Sequence, residues 1–541
     1  MPVMTGGQAL VEQLKREGVD TIFGLPGVQL DWIFDALYDA RDQIHVVHTR
    51  HEQATAYMAD GFARSTGKIG VCLVVPGPGL LNASAALATA YACSSPVLCI
   101  TGQIDSKLIG LGRGILHEID DQLGMVAHVT KWQARPTSPA QIAPLVREAF
   151  AQLKRGRPRP VEIELPPDVL QATGDVLLDD PAPDIRDEGD PEALEAAARA
   201  LGRARSPLIY AGGGVLRAGA WDELRELADM LQAPVVSTGN ARGALSDRHP
   251  LALPDLAAAA LTPSTDVILV VGSRFIVGGR ASWQPGEKTV IQLDADPTEV
   301  GRNYPPDVAI VADAQAGLAA LIHRVGRHNV ARASRADEVA ELKARMAAKS
   351  TTVQPEAAEL ALAIRAELPD DGFLVTESTQ VGYWAQAYFP VYTPRTLITS
   401  GYQGTLGYGF ATALGVQVGN PGRRVVSISG DGGFLFNVQE LSTMAQQRLP
   451  VVAIVFNDNA YGNVRGTQAT RFEGRVIASD LCNPDFGKLA DAFGIAGRRA
   501  TSPDALRREL RAALAAGEPT LIEVPVGPMG PIGGHQRATG I

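Results

Sequence analysis

A chain of 541 residues, 45% apolar and 20% charged, has the makeup of a globular protein long enough for three or four domains. Its net charge of −10 argues against a partner held by phosphate neutralisation, so no nucleic acid is expected. No apolar run reaches membrane-spanning length and no basic-then-apolar leader opens the chain, so a cytoplasmic protein with no membrane partner is expected.

In chain order, a helical pattern over Gly6–Gly18 precedes the apolar run Thr21–Gly24, which ends in the turn Leu25-Pro26-Gly27-Val28. Ile44–His48 reads as a second strand, and a helix is expected from about His51 to Ser65. Gly70–Val75 is a third strand, closed by Pro76-Gly77-Pro78-Gly79 and followed by a small-residue helix; Pro96–Thr101 and Val161–Leu165 are later strands. Cys72, Cys93, Cys99 and Cys482 lack metal-ligand spacing and read as buried reduced thiols. The acidic, proline-bearing stretch Asp179–Asp190 reads as a linker.

Beyond it, Leu208–Ala211 runs into Gly212-Gly213-Gly214, Val267–Val271 into Gly272-Ser273-Arg274, and Val290–Leu293 into Asp294. A charged helical connector covers about Arg332–Lys349. The last part starts with strand Phe373–Val375, turn Glu377-Ser378-Thr379-Gln380, strand Leu397–Thr399 and a glycine turn, Gly401–Gly409. Val425–Ser429 then leads into Gly430-Asp431-Gly432-Gly433, a turn whose backbone a ligand can approach closely because no Cβ intervenes. Val438, Leu441, Ala445 and Leu449 follow at helical spacing, so a helix N-terminus suited to an anion is expected there. Strand Val451–Phe456 delivers Asp458 beside Asp431, and two carboxylates next to a glycine cradle suit a hard divalent cation bridging to a diphosphate. Pro525–Ile541 reads as an irregular arm. Strands alternating with helices predict an α/β fold of three doubly wound domains with mostly parallel sheets, at residues 1–175, 191–330 and 354–541.

Three of these stretches, in this order, resemble the thiamine diphosphate-dependent enzymes of the acetolactate synthase and pyruvate decarboxylase superfamily. Arg50-His51-Glu52-Gln53-Ala54 resembles the family's cofactor-activating helix, Gly404–Gly409 its pyrimidine turn, and Gly430–Asn459 its diphosphate and metal signature. The resemblance implies thiamine diphosphate and Mg²⁺ as cofactors. It makes Glu52 the carboxylate that activates the aminopyrimidine, and Asp431, Asp458 and the Ala460 carbonyl the metal ligands. Ser378, Thr379, Gln380, Gly430, Gly432, Gly433, Tyr461 and Gly462 fall among the diphosphate contacts. Gly404 and Leu406 fall at the pyrimidine and the wedge that bends the cofactor. Asp458 stands where the family usually has Asn, which adds a negative charge.

The resemblance also implies a homodimer or homotetramer with active sites between subunits, and a small 2-oxo acid or other carbonyl substrate. Decarboxylation with carboligation, as in the acetolactate synthase catalytic subunit, is the leading expectation. Decarboxylation to an aldehyde, or C–C cleavage of a diketone or 2-hydroxyacyl thioester, are the alternatives. Four positions depart from the synthase pattern: Val28 narrows the substrate-side turn, His117 replaces an amide, Asn463 lies just past the metal turn, and Thr467 replaces a large aromatic. His117 reads as a proton relay or as a surface hydrogen-bonding residue; His51 reads as structural. The stretch between Pro250 and Thr265 is short for a flavin-binding loop, so FAD is not expected.

Overall fold

The computed structural model describes residues 2–276 and 284–529; from residue 530 on, the expected arm lies outside them. Three six-stranded sheets carry the fold, each parallel throughout. The first runs His45–His48, Thr21–Gly24, Gly70–Val74, Val97–Gly102, Val161–Leu165, Trp132–Ala134. The third runs Leu397–Thr399, Phe373–Thr376, Val425–Gly430, Val451–Asn457, Thr520–Pro525, Ala496–Arg499. Counted along the chain, both have the order second, first, third, fourth, sixth, fifth, so the first and third sheets are built on one plan. In such sheets the order reverses beside the first strand, and ligands bind in the crevice outside the strand ends there. The middle sheet has a different order: Ala252–Pro254, Val235–Ser237, Pro207–Ala211, Val267–Val271, Thr289–Asp294, Val308–Val311.

The long apolar runs form central strands because both sheet faces are covered and every position is buried, as at Val425–Ser429 and Val451–Asn457. Short strands such as Trp132–Ala134, Val235–Ser237 and Ala252–Pro254 escape a reading by period, since three residues carry none. The antiparallel pair Val3–Thr5 and Thr173–Asp175 lies outside the main sheets and is equally short. Of the cysteines expected to be buried, Cys72, Cys93 and Cys99 are, whereas Cys482 is exposed because it lies in a surface loop rather than an apolar strand. The stretch Asp179–Asp190 has no regular structure, yet it is tied down at its start: Gln13 exchanges hydrogen bonds with the Asp179 backbone, and Glu17 accepts from the Ala182 N–H.

Two compact units emerge: one of Met1–Ile185, Phe410–Pro421 and Phe436–Leu449, the other of Arg186–Gly409, Gly422–Leu435 and Pro450–Ile541. Within the first, helix Glu52–Thr66 is buried from Ala54 to Ser65 and stops at Gly67, whose φ of 81° suits glycine. It packs backbone against backbone on helix Tyr408–Gly419: a Cβ on Gly61 would overlap the Thr412 carbonyl, and one on Gly415 the Met58 carbonyl. Gly415→Val therefore costs about 3 kcal/mol, because backbone on the facing helix cannot move aside as a side chain would. Denaturant unfolding of the purified variant measures this; an unchanged midpoint contradicts the close crossing.

Candidate active site

In the second unit the candidate residues gather at the third sheet's strand ends. Strand Phe373–Thr376 hands over to Glu377, Ser378 and Thr379; its neighbour Val425–Gly430 hands over to Asp431. This is the point where the strand order reverses. Thr379 precedes helix Gln380–Tyr388, so that helix aims its first-turn N–H groups at the crevice. The Gln380 side chain is buried and accepts from Gln354 (3.4 Å), so any contact of this residue with an anion would fall to its backbone. Ser378 donates its hydroxyl to the Gly404 carbonyl (3.3 Å). Gly404 takes φ 58°, and Leu406 beside it is half-buried.

After Asp431 the expected long helix is broken. Asp431–Phe434 is one short turn, Val438–Glu440 a 3₁₀ turn, and Leu441–Gln446 a second short helix. The break, at Asn437, comes where the chain passes into the first unit, and there Glu440 accepts the Arg50 N–H through both carboxylate oxygens (3.0 and 3.1 Å). A four-residue turn has little dipole, so the case for an anion rests on the glycine backbone itself. The glycines have a packing reason as well. A Cβ on Gly432 would run into the Tyr461 ring, and one on Gly433 into the Glu377 carboxylate. Likewise a Cβ on Gly462 would overlap Asp458.

Asp431 and Asp458 face each other. Burial first, then the charge of Asp431, raises the Asp458 carboxyl to about 6; burial also raises Asp431, against the amide of Asn483 and nearby backbone N–H groups. Asn459 adopts φ 53°, and the Ala460 N–H donates to Asp458 Oδ1 (3.2 Å). Asn483 was not legible as a site residue, since it sits in a loop without a motif. Its Nδ2 donates to Asp431 (2.5 Å) and Asn457 (2.9 Å), while its Oδ1 is buried with no hydrogen-bond partner. Two mutually repelling carboxylates beside an orphaned amide oxygen fit a hard cation such as Mg²⁺. No group of three His, Cys, Asp or Glu side chains suited to a metal occurs among the described residues, so backbone and amide oxygens must complete the set.

In the first unit, His51 caps its helix by accepting the Gln53 N–H (3.1 Å), a structural role. Glu52 opens that helix, and Asn82 donates Nδ2–H to Glu52 Oε2 (3.0 Å), a partner that spacing could not reveal. Val28 is exposed. Gln29 and His117, far apart in sequence, come together with φ of 73° and 71°. Gln29 Nε2 donates to the Leu116 carbonyl (3.0 Å), which turns its oxygen to His117 Nδ1 (2.9 Å). Nδ1 is therefore the donor of this pair, and Nε2 is the ring nitrogen left for another partner. Such paired strain at a strand-end turn is typical of functional sites. Asn463 and Thr467 lie on helix Gly462–Arg471, none of whose residues is buried; Thr467 donates to the Asn463 carbonyl (3.0 Å).

Known proteins with this pattern are numerous. Residues 4–125 match the model described as "Thiamine pyrophosphate enzyme, N-terminal TPP binding domain", residues 194–321 the central domain, and residues 377–524 the C-terminal TPP binding domain. The chain is 36% identical to a probable acetolactate synthase large subunit of Methanocaldococcus jannaschii, over 97% of this chain and 92% of that one. It is 37% identical to a probable 2-ketoarginine decarboxylase AruI of Pseudomonas aeruginosa, over 96% and 94%. An acetolactate synthase of Arthrospira platensis is 34% identical over 97% and 94%. With three parallel sheets and three matching domain models, the chain belongs to the thiamine pyrophosphate enzymes and is a thiamine diphosphate-dependent enzyme of acetolactate synthase type.

Proposed function

We propose that the enzyme decarboxylates a pyruvate-like 2-oxo acid and ligates the product to a second carbonyl, with Mg²⁺ as the metal. The observation that carries this reading is its likeness to acetolactate synthases over 97% of the chain. Bound thiamine diphosphate supplies a carbon nucleophile that adds to a carbonyl and then stores the electron pair left by CO₂. Glu52 holds and returns a proton at the aminopyrimidine ring, and Asn82 fixes its orientation. Asp431, Asp458 and the Ala460 carbonyl hold the metal, and Gly430, Gly432, Gly433, Ser378, Thr379, Gln380, Tyr461 and Gly462 surround the diphosphate. Gly404 and Leu406 receive and bend the pyrimidine end. His117, oriented by Gln29, and Val28 face the substrate, and Asn463 hydrogen-bonds a substrate oxygen. Active sites lie between subunits of a homodimer or homotetramer, in the cytoplasm. The three domains are 1–175, 191–330 and 354–541.

A second reading is favoured by one relative and one residue. The decarboxylase-named relative is as similar as the synthases, and protonated His117 would donate to the decarboxylated product, releasing an aldehyde. Incubation with pyruvate, Mg²⁺ and thiamine diphosphate, followed by product analysis, decides. Acetolactate supports ligation, an aldehyde the second reading, and neither product from several 2-oxo acids removes both.

No flavin takes part in this proposal. In the central sheet, Gly212 N–H donates to the Val271 carbonyl (2.8 Å) and Gly214 N–H to the Gly272 carbonyl (3.0 Å), so both N–H groups are taken up by the end of the neighbouring strand rather than offered to a phosphate. The purified protein is expected to lack flavin absorbance near 450 nm; a stoichiometric flavin spectrum overturns this.

A further inference from the structure

Glu377 has no part in the scheme above, yet it is fully buried at the reversal point of the third sheet. Its Oε1 accepts the Gly407 N–H (2.6 Å); its Oε2 accepts the Gly409 N–H (3.2 Å) and the Ser429 hydroxyl (2.7 Å). The carboxylate also occupies the space where Gly433 would carry a Cβ. A Cβ on Gly409 would sit 3.0 Å from Glu377 Cβ and 3.1 Å from Oε2. One side chain therefore touches both glycine turns. Gly407 and Gly409 close the turn that begins at Gly404, while Ser429 and Gly433 bracket the turn around Asp431.

Three donors converge on this group, which suits a carboxylate without its proton. Burial opposes ionisation and lifts the group to about 7; the donors hold it down from a higher value. Tyr383, on helix Gln380–Tyr388, is raised first by its own burial and to a lesser extent by the Glu377 charge. An acid this costly to bury, with both oxygens engaged on backbone N–H groups of a ligand-binding turn, has a use beyond filling space.

We propose that Glu377 is a positioning residue that locks the Gly404–Gly409 turn to the Gly430–Gly433 turn, so that both are set before thiamine diphosphate arrives. The alternative is a buried acid that matters only for stability. This inference rests on the seating of the cofactor at these two turns, and Asp431→Ala tests that seating separately. If Asp431→Ala leaves cofactor affinity intact, the seating fails whatever Glu377 does.

The experiment uses the full-length protein with Glu377→Gln, Glu377→Asp and Ser429→Ala. Hydrogen–deuterium exchange is followed over residues 401–410 without cofactor, and thiamine diphosphate is titrated at fixed Mg²⁺. A glutamine presents an NH₂ to at least one of the converging donors. Exchange at Gly407 and Gly409 is then expected to quicken about tenfold, and the cofactor Kd to weaken about 30-fold. Excess cofactor restores most of the turnover, and Glu377→Asp recovers part of the affinity. Ser429→Ala removes one donor and weakens Kd about threefold. A folded Glu377→Gln with wild-type exchange and wild-type Kd overturns the proposal. Should that variant not fold, Ser429→Ala decides: unchanged Kd and unchanged exchange overturn it equally.

Discussion

Glu52→Gln is expected to abolish measurable turnover, a loss of about 10³-fold, with the fold intact. The side chain keeps its size at the start of a helix whose capping does not use it: His51 supplies the cap, and Glu440 accepts the Arg50 N–H. Thermal unfolding should therefore match the wild type. Cofactor titration should change little, because the proposed diphosphate and metal contacts lie at the other sheet. What Gln cannot do is hold and return a proton at the aminopyrimidine. Asn82→Ala is a milder version, removing one donor that orients Glu52. It should lower kcat about tenfold. Full activity in Glu52→Gln would remove the proposed mechanism entirely.

Metal dependence gives the second large effect. Asp431→Ala is expected to cost cofactor affinity about 100-fold or more, since it removes a metal oxygen and leaves the Asn483 amide without its carboxylate partner. A thermal shift on adding Mg²⁺ and thiamine diphosphate, expected of the wild type, should vanish in this variant. Asp458→Asn acts in the opposite direction on the metal-free protein. The Asp458 carboxyl is raised from 3.8 to about 6, by burial and then by Asp431, so it holds its proton more tightly folded than unfolded. Such a group stabilises the fold at low pH, and that contribution is lost as pH rises from about 4 through about 6. The metal-free variant should therefore melt higher than the wild type at pH 7.5, and the two should converge below about pH 4. Equal melting temperatures at pH 7.5 would show that the repulsion is already relieved without a metal.

Several sequence expectations were sharpened by the packing. Gly432 and Gly433 are legible as a turn that a ligand can approach, but their missing Cβ atoms also make room for Tyr461 and Glu377. The helical spacing of Val438, Leu441, Ala445 and Leu449 is real in the sequence, yet the segment is broken so that Glu440 can reach the Arg50 N–H. Here a tertiary hydrogen bond to a buried carboxylate outweighs helical continuity. His117 is singled out because it stands where the synthases carry an amide; which nitrogen faces a partner follows from Gln29 and Leu116, which only the fold brings near.

By itself the sequence determined the α/β class, the parallel sheets and the cofactor. The fold class and the parallel sheets follow from long apolar runs ending in glycine turns, local patterns that survive without knowledge of neighbours; the cofactor follows from the resemblance of three stretches to the family. It also singled out Asp431 and Asp458 as two acids at neighbouring strand ends, and Glu52 through the family resemblance, as candidates. The tertiary structure alone decided what stands behind them: Asn82 on Glu52, Asn483 on Asp431, and Glu377 beneath both glycine turns. These partners lie 30 to 52 residues from the groups they hold. A hydrogen bond depends on distance and angle in space, and no spacing along the chain encodes either.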